Sequence, residues 1–146
     1  MTRTPPELGS VAVAIVTSIA LTFTAAIGLV IDGGHILLAR GEADAVAFQA
    51  ARAGAQALNP AQLANGVPAL DPIAARADAT RAAERILTAE HSTGRIAMVT
   101  ADTTTVSVSI QERTDLSVAA LFGEPHATVT GHATVRVAAG VTHEGN

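Results

Sequence analysis

Along this chain the spacing of apolar and polar residues changes from region to region, and each change predicts a different element. From Leu8 to Ile31 no residue is charged. As a helix that run is about 36 Å long at 1.5 Å per residue, more than the ~30 Å of a bilayer's hydrocarbon core, so it predicts a membrane-spanning helix with some tilt. Asp32-Gly33-Gly34 closes the run. Its two glycines lower helix propensity by about 1 kcal/mol each relative to Ala, as a flexible joint or as a tolerated soft spot at the interface. Beyond it, Ala39, Ala43, Val46, Ala50, Ala53 and Ala57 recur at three- and four-residue spacing, predicting a helical stem from about Ile36 to Leu58 with one face of small apolar groups. Arg40, Glu42, Asp44 and Arg52 fall on other parts of its surface.

Residues 59–72 hold three prolines and a glycine and read as a linker, which ends at Asp71-Pro72, an N-cap followed by proline at the first helical position. The helix that follows carries an apolar stripe of Ala75, Ala79, Ala82, Ile86 and Ala89, and Gly94 is its expected stop. The period then becomes two. Ile96 to Ala101 is a short apolar run, and Val106, Val108 and Ile110 alternate with Ser107, Ser109 and Gln111, giving a hairpin that turns near Ala101-Asp102-Thr103. Leu116 to Phe122 reads as one or two helical turns. A last strand places Ala127, Val129, Gly131, Ala133, Val135 and Val137 on one face and Thr128, Thr130, His132, Thr134 and Arg136 on the other. The expected fold class is therefore α+β: a long N-terminal helix serving as anchor and stem, a second helix, and a small three-stranded antiparallel sheet with a short helix.

This reading divides the chain into a cytoplasmic tail (residues 1–7), a transmembrane helix (8–31), a helical stem (32–58), a linker (59–72) and a small exported head (73–146). A cleaved secretory signal is the rival, because Thr24-Ala25-Ala26 offers small residues to a signal peptidase. The apolar run is longer than the 7–15 residues usual for a signal h-region, which favours a retained anchor. Positive charges nearly balance across the span, with Arg3 and the terminal amine against Arg40 and Arg52. The short N-terminal tail then decides the expected orientation: N-terminus inside, head outside the cytoplasm, in the cell (inner) membrane.

Composition narrows the chemistry. Apolar residues make up 49% of the chain but only three are aromatic, all Phe, so the core is built of small groups with few bulky anchors. With no Cys, disulfides, thiolate metal sites and cysteine catalysis are excluded. A net charge of −4 without Tyr or Trp argues against a nucleic-acid surface. Of the five histidines, at 35, 91, 126, 132 and 143, only His126 and His132 share a face of one element. Six strand residues set those two about 20 Å apart, too far to share a metal. No nucleophile elbow, phosphate-binding loop or dinucleotide fingerprint is present. Glu42 and Asp44 point to different sides of a helix, and Asp71 is expected to cap one. No catalytic, cofactor-binding or metal residues are expected, no cofactor and no small-molecule substrate is implied, and the chain is not expected to be an enzyme.

The first 58 residues resemble the TadE/TadG-like proteins of bacterial Flp (Tad) pilus and secretion systems, especially the short single-pass versions. The match runs through Gly9-Ser10-Val11-Ala12-Val13, the apolar segment, Leu29-Val30-Ile31-Asp32-Gly33-Gly34, Leu38-Ala39-Arg40, Ala43-Asp44-Ala45 and Ala50-Ala51-Arg52-Ala53-Gly54-Ala55. The resemblance implies a minor pilin-like or pilus-assembly subunit that works by helix packing and not by catalysis. One departure is that pilin-like members commonly carry Glu where Ala14 stands, and a basic residue where Leu8 precedes Gly9. An uncleaved anchor is the expected form. The expected partners are the bilayer and other pilin-like subunits or Tad assembly proteins. An anchored envelope module that binds an unknown ligand through its head is the alternative.

Overall fold

A computed structural model describes residues 7–137. The tail at residues 1–6, the end of the head at residues 138–146, and with it His143, lie outside the described residues. One helix, α1 (Glu7–Gly54), spans 48 residues without interruption, about 72 Å at 1.5 Å per residue. The span and the stem are therefore one element, and Gly33 and Gly34 are helical within it. A Cβ on either glycine would meet nothing within 4 Å, so the pair is a low-propensity stretch of helix that its surroundings do not require.

The two halves of α1 face different surroundings. From Val11 to Ile27 every residue is exposed, in a helix whose most apolar 18-residue window has a mean hydropathy of 2.3 and is 6% buried. From Ala39 onward one face is covered: Ala43, Ala47, Ala50 and Ala51 are fully buried and Val46 nearly so. That face is wider than the stripe expected from spacing, since it adds Ala47 and Ala51, while Ala53 and Ala57 are only half-buried at its end. The helix also stops earlier than Leu58, at Gly54. There a Cβ would lie 2.5 Å from the carbonyl oxygen of Ala75, so the missing side chain lets the next long helix cross at backbone distance.

The linker is more ordered than its prolines suggest. It contains a five-residue helix, α2 (Pro60–Ala64), whose N-cap Asn59 accepts from the N–H groups of Ala61 and Gln62. A bridge between Leu58 and Leu70 closes it into a compact loop. Leu70 is the largest fully buried side chain of the core together with Ile110, Val106 and Val108. The N–H of Leu70 donates to Thr103 O at 2.8 Å, which ties the loop to the hairpin turn.

Helix α3 (Pro72–Ala89) starts as expected: Asp71 accepts from the N–H groups of Ile73 and Ala74, with Pro72 in the first turn. Ala75, Ala79, Ala82 and Ala83 are buried, Ile86 is half-buried and Ala89 is exposed. Its stop is not Gly94. His91 takes the left-handed conformation at φ 52°, its N–H donates to Thr88 O and that of Ser92 to Leu87 O, the paired bonds of a Schellman ending. Histidine tolerates this region better than most side chains.

Strands β1 (Arg95–Ala101), β2 (Thr105–Asp115) and β3 (His126–Arg136) form one antiparallel sheet in the order β1-β2-β3. The alternation along β2 and β3 is as expected, with Val106, Val108, Ile110, Val129 and Gly131 buried on the inner face. In β1 the register shifts between Ile96 and Met98. This bulge lets Ile96 and Val99, three positions apart, both turn toward the core. Helix α1 lies across β2 and β3, and α3 lies beside it toward β1, giving two layers with the second half of α1 inside the head's own core.

Candidate functional site

The connection between β2 and β3 is where the bare half of α1 meets the head. Residues 116–123 carry no charge and contain one 3-10 turn, η1 (Ala119–Phe122), within the segment expected to be helical. Asp32, 6% exposed, aims its carboxylate at the start of this turn. Oδ1 accepts from Ser117 N–H at 2.8 Å, and Oδ2 accepts from Val118 N–H at 3.0 Å and Ala119 N–H at 2.7 Å. The side chain caps a turn more than 80 positions away in the chain, supplying the acceptor that the turn's first N–H groups need. One helical turn earlier, Gly28 is buried against Val118, whose Cγ1 would lie 2.4 Å from a Cβ at that position. Gly28 and Asp32 together clamp the connection onto the end of the apolar half.

A second clamp lies about three turns further along α1 than Asp32. Gly131 of β3 passes so close that a Cβ there would be 2.3 Å from Asp44 N and 2.4 Å from the Ala43 carbonyl carbon. Asp44 Oδ1 accepts from the N–H of His132 at 2.8 Å. Gly54 against α3 completes three points of close approach along one helix, two of them backbone to backbone.

Outside these clamps the polar groups serve the fold. Asp102 accepts from the hydroxyls and N–H groups of Thr104 and Thr105 in the hairpin turn. The Thr105 hydroxyl and then these other donors hold its carboxyl well below the usual carboxylate range. His126 Nδ1 lies 2.6 Å from Asp115 Oδ1 across the strand pair, and His35, His91 and His132 are exposed. His126 and His132 stay on the outer face of β3 and do not converge. Among the described residues no three His, Asp or Glu groups stand close enough to hold a metal ion, and no buried side-chain nitrogen or oxygen lacks a partner. A cleft of about 530 Å³ beside Glu42, Glu90, His91 and Glu112 and one of about 360 Å³ beside Arg95, Gln111 and Arg113 are polar surface hollows of the head. An apolar cleft of about 280 Å³ lies between α1 and the β2–β3 connection, lined by Ala25, Leu29, Ile36, Leu116 and Phe122.

None of the clamps is visible in the spacing of residues. Asp32 reads in sequence as the end of a span, and its partners are backbone groups that carry no side-chain signal. Compared with protein-family models, with curated proteins and with solved structures, the chain has no match in any of the three.

Proposed function

We propose that this chain is a single-pass, pilin-like membrane subunit of the TadE/TadG kind that takes part in assembling an Flp (Tad) pilus or secretion apparatus, with its N-terminus inside and its head outside the cytoplasm. The observation that carries this reading is the division of α1, which is bare and apolar over its first half and enclosed by its own sheet over its second. Such a helix offers a bilayer, or neighbouring helices within it, one half of its length and holds the head rigidly on the other.

The small face of the stem is already taken by α3 and the sheet, so association must use the bare half. Ala14, Ser18 and Thr22 recur there at four-residue spacing and all are exposed. Thr22 Oγ1 donates to Ser18 O, and Thr24 Oγ1 to Ala20 O. With the Thr22 hydroxyl satisfied inside the helix, this stripe presents small groups that allow close helix approach in lipid, where van der Waals packing and not the hydrophobic effect drives association.

The test is co-purification of the full-length tagged chain from bacterial membranes, with and without Ser18→Leu. Recovery of other pilin-like subunits or Tad platform proteins, lost with Ser18→Leu, is the expected result. A chain recovered alone in both forms would set the assembly reading aside in favour of an anchored binding module.

A further inference from the structure

We infer that the β2–β3 connection is a second membrane contact, a wedge whose Leu121 and Phe122 enter the leaflet on the head side of the bilayer next to α1. This rests on the reading that the first half of α1 spans the membrane. Leu121 and Phe122 are 78% and 76% exposed, in a connection with no charged residue between Asp115 and Glu124. In water so exposed an apolar pair would be an unfavourable surface. Its position along α1 supplies the occupant. Val118 packs on Gly28, and Phe122 shares a cleft with Ala25 and Leu29. Ala25 lies about 9 Å back along the helix from Ile31, inside the uncharged run. That depth matches the 5–10 Å to which interfacial apolar elements enter the boundary of headgroups and acyl chains. The exposed pair is thus continuous with the apolar surface of the span itself.

Most backbone N–H groups of the wedge are paired within the protein. Irregular chain is tolerated at membrane depth only when its polar groups are satisfied internally. Here the N–H groups of Ser117, Val118 and Ala119 donate to Asp32, that of Leu116 to Pro125 O, that of Leu121 to Val118 O, that of Gly123 to Ala120 O, and that of Glu124 to Ala119 O. Asp32 accordingly does more than end the span. By capping the turn it satisfies three N–H groups of an uncharged loop that lies against lipid, and it fixes how far the head stands from the membrane surface.

The chain has no Cys, so single-cysteine labelling needs no background removal. The full-length protein is reconstituted in phosphatidylcholine–phosphatidylglycerol vesicles, with an environment-sensitive fluorophore at Leu121→Cys, Phe122→Cys, Ile19→Cys in the span, or Thr103→Cys at the far hairpin turn. The expected result is blue-shifted emission at 121 and 122, quenched by lipids carrying a nitroxide high on the acyl chain. Quenching by aqueous iodide should be several-fold weaker there than at 103. Iodide-accessible labels at 121 and 122 beside a lipid-quenched label at 19 would overturn the wedge and leave the span standing. A water-exposed label at 19 would overturn both. Blue-shifted labels at 121 and 122 that no lipid quencher reaches, with a shift that grows with the protein-to-lipid ratio, would overturn the wedge in favour of contact with a second copy.

Discussion

Gly131 and Ala43 touch backbone to backbone: a Cβ on the glycine would sit 2.4 Å from the carbonyl carbon of the alanine. Neither strand nor helix can move aside easily, because Asp44 bonds His132 next to the contact and β3 is paired along its whole length with β2.

Gly131→Ala should therefore destabilise the head by about 2–3 kcal/mol, at the upper end of the range for overpacked cores. Gly41→Ala is the control, since a Cβ there meets nothing within 4 Å in the middle of α1, and it should stabilise by about 0.5–1 kcal/mol through helix propensity. Thermal unfolding of the full chain in detergent, followed by circular dichroism, gives both. Equal effects from the two glycines would mean that the helix–strand contact is looser than described.

Asp32→Ala should release the β2–β3 connection without unfolding the sheet. The N–H groups of Ser117, Val118 and Ala119 lose their acceptors, so their hydrogen-exchange protection should fall while that of Val106, Val108 and Ile110 is retained. Asp32→Asn, which keeps one acceptor oxygen, should lie between. Unchanged protection at residues 117–119 in Asp32→Ala would show that Gly28 alone holds the turn.

Ala50 is fully buried in the face shared by α1, α3 and the sheet. Ala50→Leu has no space to enter and should cost typically 1–3 kcal/mol. Arg81→Gln, on the exposed side of α3 where Arg81 pairs with Asp78, should stay within about 0.5 kcal/mol. A melting temperature unmoved by Ala50→Leu would contradict the packing of this face.

The turn at Asp102 predicts an acid-dependent term. Its folded carboxyl titrates below the ordinary value of 3.8, so the turn stabilises the head fully above about pH 4 and loses that contribution as pH falls through the lowered folded value. Asp102→Asn should lower the melting temperature near neutrality, and the gap from the parent should close below about pH 4. A gap independent of pH would mean that the carboxylate's charge is immaterial to the turn.

What the amino-acid pattern revealed is what period alone can encode. The inward alternation of β2 and β3, the Asp71-Pro72 start of α3 and the turn at Asp102 all depend on neighbours within a few positions, and each is found as expected. What it hid depends on partners far along the chain. The stripe from Ala39 to Ala50 announces a buried face but not that α3 and the sheet cover it, and the width added by Ala47 and Ala51 follows from that double cover. The bulge in β1 made Ile96 to Ala101 look like a run without alternation. Leu70 was obscured by the prolines around it, although an apolar residue just before an N-cap is the position that packs back on the first turns of a helix, here with Ala75 in the same core. His91 took the place expected for Gly94 because backbone geometry at a helix end can be met by more than one residue type.

The enclosure of α1 by the sheet also sets an order of events during biogenesis. The part of the core made first, Ala39 to Gly54, has its cover in β3, the last described element. At about 5–20 residues per second, roughly 4–15 s separate the synthesis of Gly54 from that of Gly131. Throughout that interval the part of the alanine face that β3 covers, at Ala43, waits exposed. The head cannot close until β3 has been made, and a chain truncated before β3 would present that bare part of the face to chaperones and proteases as the mark of an incomplete product.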